Sequence, residues 1–274
     1  GVLGDQRTGG LVPLLLEGVG ELGRLARHLG EARVLGFRPG AGPLLPVVMR
    51  MGGDLVPADC WAALAGAVQK ELASVGVPVL LGVRLPEERV PLLVGLRNEE
   101  ERTAVADRVA AALRAGARRA GFRRPVVVVG AATGWSTAGA GLRHAAEAAT
   151  AARGLPEQDR AWHDVRSLDV DVLLWRLRSH GDLAAFVDRV LGPLLAHDRT
   201  ARPPLLPTLE TYLAHAGRKA ETARELHLNR QTLYDRLARI TRLLGVDVDD
   251  PDTVLALSLA LRARRNHTRS ASSS

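Results

Sequence analysis

The sequence is nearly without cysteine and lysine and has no long apolar run, and two of these shortages exclude whole classes of protein. Its one cysteine, Cys60, has no partner for an internal disulfide, so a reducing compartment is the simplest home. Cys60 lies beside Trp61 in an Ala-rich stretch with no nearby His, which argues against a reactive thiol. The longest apolar runs, such as residues 125–132, fall far short of the ~20 residues of a membrane helix, and no signal-peptide pattern is present. A cytoplasmic protein is expected. Lysine occurs only at Lys70 and Lys219; with so much Ala, Gly and Leu this fits a GC-rich coding sequence and carries no mechanism. The eight histidines (His28, His144, His163, His180, His197, His215, His227 and His267) stand singly, with no pair at helical spacing and no adjacent cysteine. Neither a metal site nor a cofactor is expected.

What is present suits a folded chain: 274 residues at 46% hydrophobic content allow two domains with cores of their own. The formal charge of +7 favours anionic partners without choosing between nucleic acid and an anionic membrane surface.

The choice is made by residues 220–245, AETARELHLNRQTLYDRLARITRLLG, which read as two short helices joined by a tight turn. Ala223 and Leu226 fall three apart in the first, and Leu228 closes the turn. In the second, Leu233, Leu237, Ile240 and Leu244 recur at steps of four, three and four, a single narrow face at ~100° per residue. Asn229 precedes this helix as an N-cap whose side-chain oxygen can accept from Gln231 or Thr232, so the helix begins at Arg230. Opposite the seam lie Gln231, Asp235, Ala238, Arg239 and Arg242, flanked by Arg230, Thr232, Tyr234 and Arg236. Arg, Gln and Asn can pair bidentately with purine edges in the major groove. Seven basic residues (Arg218, Lys219, Arg224, Arg230, Arg236, Arg239, Arg242) face three acidic ones (Glu221, Glu225, Asp235), a window of +4 that suits a polyanion. The bland alternative is an ordinary helical hairpin with a solvated charged face.

Upstream, residues 1–10 read as a frayed end that starts without Met, as if further sequence preceded it. An amphipathic helix is expected over 12–35, able to pack on a partner chain, with a break at Arg38–Gly42. An α/β alternation follows: strand 45–51, helix 58–75, strands 79–84 and 90–96, helix 99–120, strand 126–131 and helix 138–153, with Glu87-Glu88 in a hairpin connection. Residues 130–141, GAATGWSTAGAG, lack the Gly-Lys-Ser/Thr of a phosphate loop and the glycine spacing of a dinucleotide fingerprint, and their near-match to a nucleophile elbow has no triad partners. They are expected to form a plain strand-to-helix turn with Ser136 or Thr137 as the N-cap. From 167 to 198 the pattern is wholly helical.

The run Leu205–Arg262 resembles the C-terminal helix-turn-helix of the PucR/CdaR family of bacterial transcription regulators. The likeness rests on Leu205-Leu206-x-Thr208-Leu209, Tyr212-Leu213, Thr222-Ala223, Leu226-His227-Leu228, Thr232-Leu233, Arg236-Leu237, Gly245, Asp250-Pro251 and Leu259-Ala260-Leu261. Asn229 and Gln231 stand where the family usually has His and Asn, and Asp235 where an aromatic is common. The resemblance implies a fold of a GGDEF-like α/β (α+β) domain with an antiparallel hairpin, then a helical linker and an all-α DNA-binding domain. The expected layout is an N-terminal helical segment at 1–43, a degenerate GGDEF-like domain at 44–165, a linker at 166–200, the helix-turn-helix domain at 201–268 and a disordered tail at 269–274. It implies double-stranded DNA as partner, a homodimer, a small-molecule effector of unknown identity, and DNA contacts from Asn229, Arg230, Gln231, Thr232, Tyr234, Asp235, Arg236, Arg239, Arg242, Arg218 and Lys219. The alternative is a GGDEF-like nucleotide-binding protein or enzyme. Against it, the hairpin reads LPEERV at 85–90 without any glycine to admit a nucleotide, and Gly52-Gly53-Asp54 lies outside the hairpin. The chain is therefore not expected to be an enzyme.

Overall fold

The computed structural model describes residues 37–51, 58–81, 89–152, 155 and 160–270. The helix expected over 12–35, the Gly52-Gly53-Asp54 triplet, residues 85–88 of the LPEERV stretch and residues 271–274 of the tail lie outside them. The chain divides into two units, 1–172 and 173–274.

In the first unit five strands form one sheet: β1 (Leu44–Arg50), β2 (Val79–Leu81), β3 (Arg89–Gly95), β4 (Val126–Val129) and β5 (His163–Asp164), in the order β2-β3-β1-β4-β5. β1 pairs antiparallel with both β3 and β4, Val47 lying opposite Leu92 on one side and Val129 on the other. β2 is antiparallel to β3, as a hairpin connection requires. Helices α1 (Ala58–Ala73) and α2 (Arg102–Arg119) each cross between parallel strands that have one antiparallel strand lying between them. This is a pair of split β-α-β units.

Both faces of the sheet are covered, which is why LLPVVMR and VVVV read as continuous apolar runs rather than alternating ones. Leu45, Val47 and Met49 point to a core shared with Trp61, Leu64 and Val68 of α1 and Val105, Val109 and Leu113 of α2. Helix α3 (Ala138–Ala151) packs on β1 and β4 and buries Leu142, Ala145, Ala148 and Ala149. Gly116 of α2 meets Val68 of α1 so closely that a Cβ there would lie 2.7 Å from the Val68 Cα.

The sequence expectations need two corrections in this unit. β5, only two residues long, is too short to show any period, yet it pairs parallel with β4 and lengthens the sheet. Thr137 holds the N-cap position of α3, one of the two residues expected there, but its side chain does not cap: a 3-10 turn over Trp135–Thr137 intervenes and the Thr137 hydroxyl turns back to the Gly134 carbonyl at 3.3 Å. The segment is otherwise a plain strand-to-helix connection.

β5 carries Asp164, and opposite it Arg102, 7% exposed, enters the fold from the first turn of α2. Its Nε and Nη2 donate to the Gly130 carbonyl at 3.2 and 2.7 Å, and its Nη1 lies 3.0 Å from Asp164 Oδ2. Arg166 binds the same carboxylate at 2.7 Å, and the Trp162 ring lies 5.6 Å from the Arg102 guanidinium. Burial pushes the Asp164 carboxyl up, but the hydrogen bonds from Arg166 and Arg102 outweigh it and bring it from an ordinary 3.8 to about 2.

The division of the chain falls inside α4 (Asp169–Arg176). The second unit continues with α5 (Gly181–Thr200), α6 (Leu206–Ala214), α7 (Lys219–Glu225), α8 (Arg230–Leu244) and α9 (Pro251–Ser270). Leu183, Val187, Leu191 and Leu194, at steps of four, four and three, place one face of α5 in a core with Leu209 and Tyr212 of α6, Leu233, Leu237 and Ile240 of α8, and Leu257, Ala260 and Leu261 of α9. Asp198 near the end of α5 accepts from the Leu205 and Leu206 N–H groups, at 2.9 and 2.7 Å, and so supplies the capping oxygen for α6. Among the described residues no helix is long and apolar enough to cross a membrane, and no group of three or more His, Cys, Asp or Glu is placed to hold a metal.

Candidate nucleic-acid interface

α7, a four-residue turn and α8 form the pair of helices expected from the sequence, and the turn is built by backbone chemistry. The Leu226 N–H ends α7 on the Thr222 carbonyl at 3.0 Å, and the Leu228 N–H reaches back to Ala223 at 2.8 Å. Between them His227 takes a left-handed φ of 52° and its N–H bonds the Arg224 carbonyl at 3.2 Å. His227 is exposed, so the main chain rather than the ring holds the turn here. Thr222, fully buried, returns its hydroxyl to the Arg218 carbonyl at 2.8 Å.

Asn229 then caps α8 as expected. Its Oδ1 accepts from the Thr232 N–H at 2.8 Å, while its extended backbone (φ −74°, ψ 162°) turns the chain into the helix. Leu233, Leu237 and Ile240 are buried, and the helix stops at Gly245, whose φ of 67° is the left-handed cap that glycine takes without strain. Leu244, expected on the same seam, is half-buried against the core.

With that face turned inward, Arg230, Gln231, Tyr234, Asp235, Ala238, Arg239 and Arg242 are all exposed. Arg230 lies against Tyr234, with its Nη2 3.4 Å from the hydroxyl and its guanidinium carbon 5.3 Å from the ring centroid. Lys219 reaches the same ring from α7 at 5.4 Å, so the first turns of both helices carry a cation against one aromatic. Gln231 and Asp235, one helical turn apart, are joined by an Nε2 to Oδ1 bond of 3.0 Å.

Three of the candidate residues are committed elsewhere. Arg236 is half-buried, and its Nη1 donates to the buried Thr208 hydroxyl on α6 at 3.2 Å, which ties α8 to the helix behind it. Lys219 bonds Asp249 at 3.1 Å. Arg218 is exposed, but its Nε donates to the His215 carbonyl at 3.0 Å.

Asp249 and Tyr212 are supports that reading the sequence missed. The Tyr212 hydroxyl donates to Asp249, which also takes Lys219, so one carboxylate in the α8–α9 loop links α6 and α7. Burial and the facing Asp249 raise the Tyr212 hydroxyl above its ordinary value. The hydrogen bond from Tyr212, with Lys219 beside it, lowers the Asp249 carboxyl. A shallow cleft of about 190 Å³ opens here between Lys219, Tyr234, Ala238, Thr241 and Asp249. These partners lie 30 and 37 residues apart in sequence, and no local pattern announces them.

Residues 205–263 match the PucR C-terminal helix-turn-helix domain family. The chain is 39% identical over 97 residues to the purine catabolism regulatory protein of Bacillus subtilis, an alignment covering 35% of this chain and 18% of that one. It is 36% identical over 102 residues to the transcriptional activator PmfR of Paenarthrobacter nicotinovorans, covering 37% and 21%. The matched stretch is thus about a fifth of those relatives' own length. The crystal structure of a regulator of polyketide synthase expression from Bifidobacterium adolescentis aligns over 95% of this chain and 98% of its own, at 19% identity and a TM-score of 0.41. A buried three-residue seam, a left-handed turn and a capped second helix agree with the family match over the same stretch, and residues 205–263 form a helix-turn-helix domain of the PucR C-terminal type.

Proposed function

We propose that the protein regulates transcription by binding double-stranded operator DNA with the exposed face of α8. The carrying observation is that α8 buries Leu233, Leu237 and Ile240 while leaving Arg230, Gln231, Asp235, Arg239 and Arg242 exposed from a capped N-terminus. Arg230 and Gln231, in the first turn, read base edges, and Arg239 and Arg242, further along, meet the flanking phosphates. Asn229, Thr232, Tyr234, Arg218 and Lys219 line the same entrance and contribute backbone contacts. Arg236 contributes by holding α8 to Thr208.

The sheet unit is assigned to dimerisation or effector sensing, as a degenerate GGDEF-like domain; its two split β-α-β units with an antiparallel β2–β3 pair support that reading. A homodimer presents two recognition helices to paired half-sites, since one helix-turn-helix covers little DNA. On this reading the chain is not an enzyme, and it works in the cytoplasm where the chromosome lies.

The test is a gel-shift and footprinting scan of the gene's own promoter region, with sedimentation on the same sample. A protected palindromic site bound by a dimer is the expected result. Cyclic dinucleotide formed from GTP and metal, without any protected site, overturns the proposal, and a strict monomer that binds one half-site at nanomolar strength overturns the dimer.

A further inference from the structure

The inference rests on the reading of α8 as a DNA-reading helix and concerns what that helix selects. A glutamine side chain alone is an ambiguous reader. Its amide carries an acceptor on one end and two donors on the other, and rotation about its last bond exchanges them. Such a side chain can accept from an exocyclic amine or donate to a keto oxygen. In this protein the ambiguity is removed by the residue one turn on. Gln231 and Asp235 are in hydrogen-bond contact at 3.0 Å, and both are exposed. A carboxylate only accepts. The atom of Gln231 that touches Asp235 must therefore be the amide nitrogen, whichever way the amide would otherwise turn; one of its two N–H groups is spent on the carboxylate, and the carbonyl oxygen stays free to accept. The remaining Asp235 oxygen is an acceptor as well, with negative charge.

In the major groove adenine and cytosine each present an amine, N6 or N4, whereas guanine and thymine present keto oxygens at the corresponding places. An oxygen-bearing, negatively charged edge is attracted to the first pair and repelled by the second. We infer that Asp235 is a specificity-determining residue which, by holding the amide nitrogen of Gln231, makes this position of α8 select a base with an exocyclic amine, adenine or cytosine, over guanine or thymine. Asp235 carries a cost on this account, since its charge also faces the phosphates, and removing it relaxes selectivity while strengthening binding to DNA in general.

The experiment is a binding selection from a randomised duplex library with the full-length chain, repeated for Q231A, D235A and the exchange variant Q231E/D235N. Gln231 and Asp235 are solvent-exposed, and circular dichroism melting confirms that each variant is folded. The position that loses its preference in Q231A is the one read by this pair. There the wild type is expected to favour adenine or cytosine roughly 5- to 100-fold, and the winning base tells which amine is read. D235A should reduce that preference to near parity while binding random DNA more tightly. Q231E/D235N, which keeps the total charge of the pair and a free acceptor at position 231, should retain it. A wild-type preference for guanine or thymine at that position, a D235A profile unchanged from wild type, or loss of the preference in the exchange variant each overturns the inference while leaving α8 as a DNA reader. Absence of any selected sequence for the wild type overturns the reading of α8 itself.

Discussion

The two units use arginine in opposite ways. Arg102 in the sheet unit is 7% exposed and spends its guanidinium on a backbone carbonyl and the Asp164 carboxylate. Arg230, Arg239 and Arg242 on α8 are exposed, and Arg230 lies within hydrogen-bond reach of an exposed tyrosine on its own helix. An arginine bound on several sides in the interior holds structure and has few donors left for a ligand. One exposed on a capped helix keeps its donors for an anion. A formal charge of +7 is thus a poor guide to where an anion binds, because it counts both kinds alike.

The strongest way to break this contrast is Arg102→Ala. It leaves Asp164 with Arg166 as its remaining guanidinium and the Gly130 carbonyl without its donor, and should destabilise the sheet unit by up to about 3 kcal/mol in urea denaturation. Retention of wild-type stability would show that the cluster is ornamental. The same cluster predicts an acid limb. Because the folded Asp164 carboxyl is depressed to about 2, its contribution is present above the unfolded value and is lost as pH falls from about 4 toward 2. Asp164→Asn should flatten stability across that window.

Leu237→Ala addresses the other unit from the inside. Removing this buried side chain should cost about 2–5 kcal/mol and melt the helical unit before any DNA contact is lost. Arg230→Ala should leave melting unchanged and weaken operator binding by about 1–3 kcal/mol, with preference relaxed at one or two base positions. Arg242→Ala sharpens the distinction between reading and steering, with an equal loss on all sequences and a salt slope reduced by about one. Identical profiles for these two variants would show that α8 enters the groove differently. The smallest effect is expected at the turn, where His227→Gly relieves a left-handed non-glycine residue and should stabilise the helical unit by about 1 kcal/mol in thermal melts.

The candidate interface was legible to the extent that its determinants are local. The Leu233/Leu237/Ile240 seam, the Asn229 cap, the start at Arg230 and the stop at Gly245 are all set within one or two helical turns. Side chains that a helical wheel puts on the flanks were harder. Arg236 and Arg239 look alike in sequence, and only the Thr208 hydroxyl on α6, 28 residues away, turns the first of them inward. Lys219 counts among the candidate DNA contacts as one of the basic residues of the helix-turn-helix, and its bond to Asp249 across 30 residues depends on how α7 and the α8–α9 loop meet.

By itself the sequence determined the alternation of strands and helices in the sheet unit, the helix-turn-helix pair and the residues of its buried seam. These follow from hydrophobic period, cap chemistry and turn chemistry, which act over a few residues. Tertiary structure alone decided that β1 lies at the sheet's centre between β3 and β4, that the two-residue β5 joins the edge, and that Arg102 is buried against Asp164, 62 residues on. Those outcomes come from pairing and desolvation between distant segments. A strand's partner and a charged side chain's direction depend on what closes over them, and no local pattern carries that information.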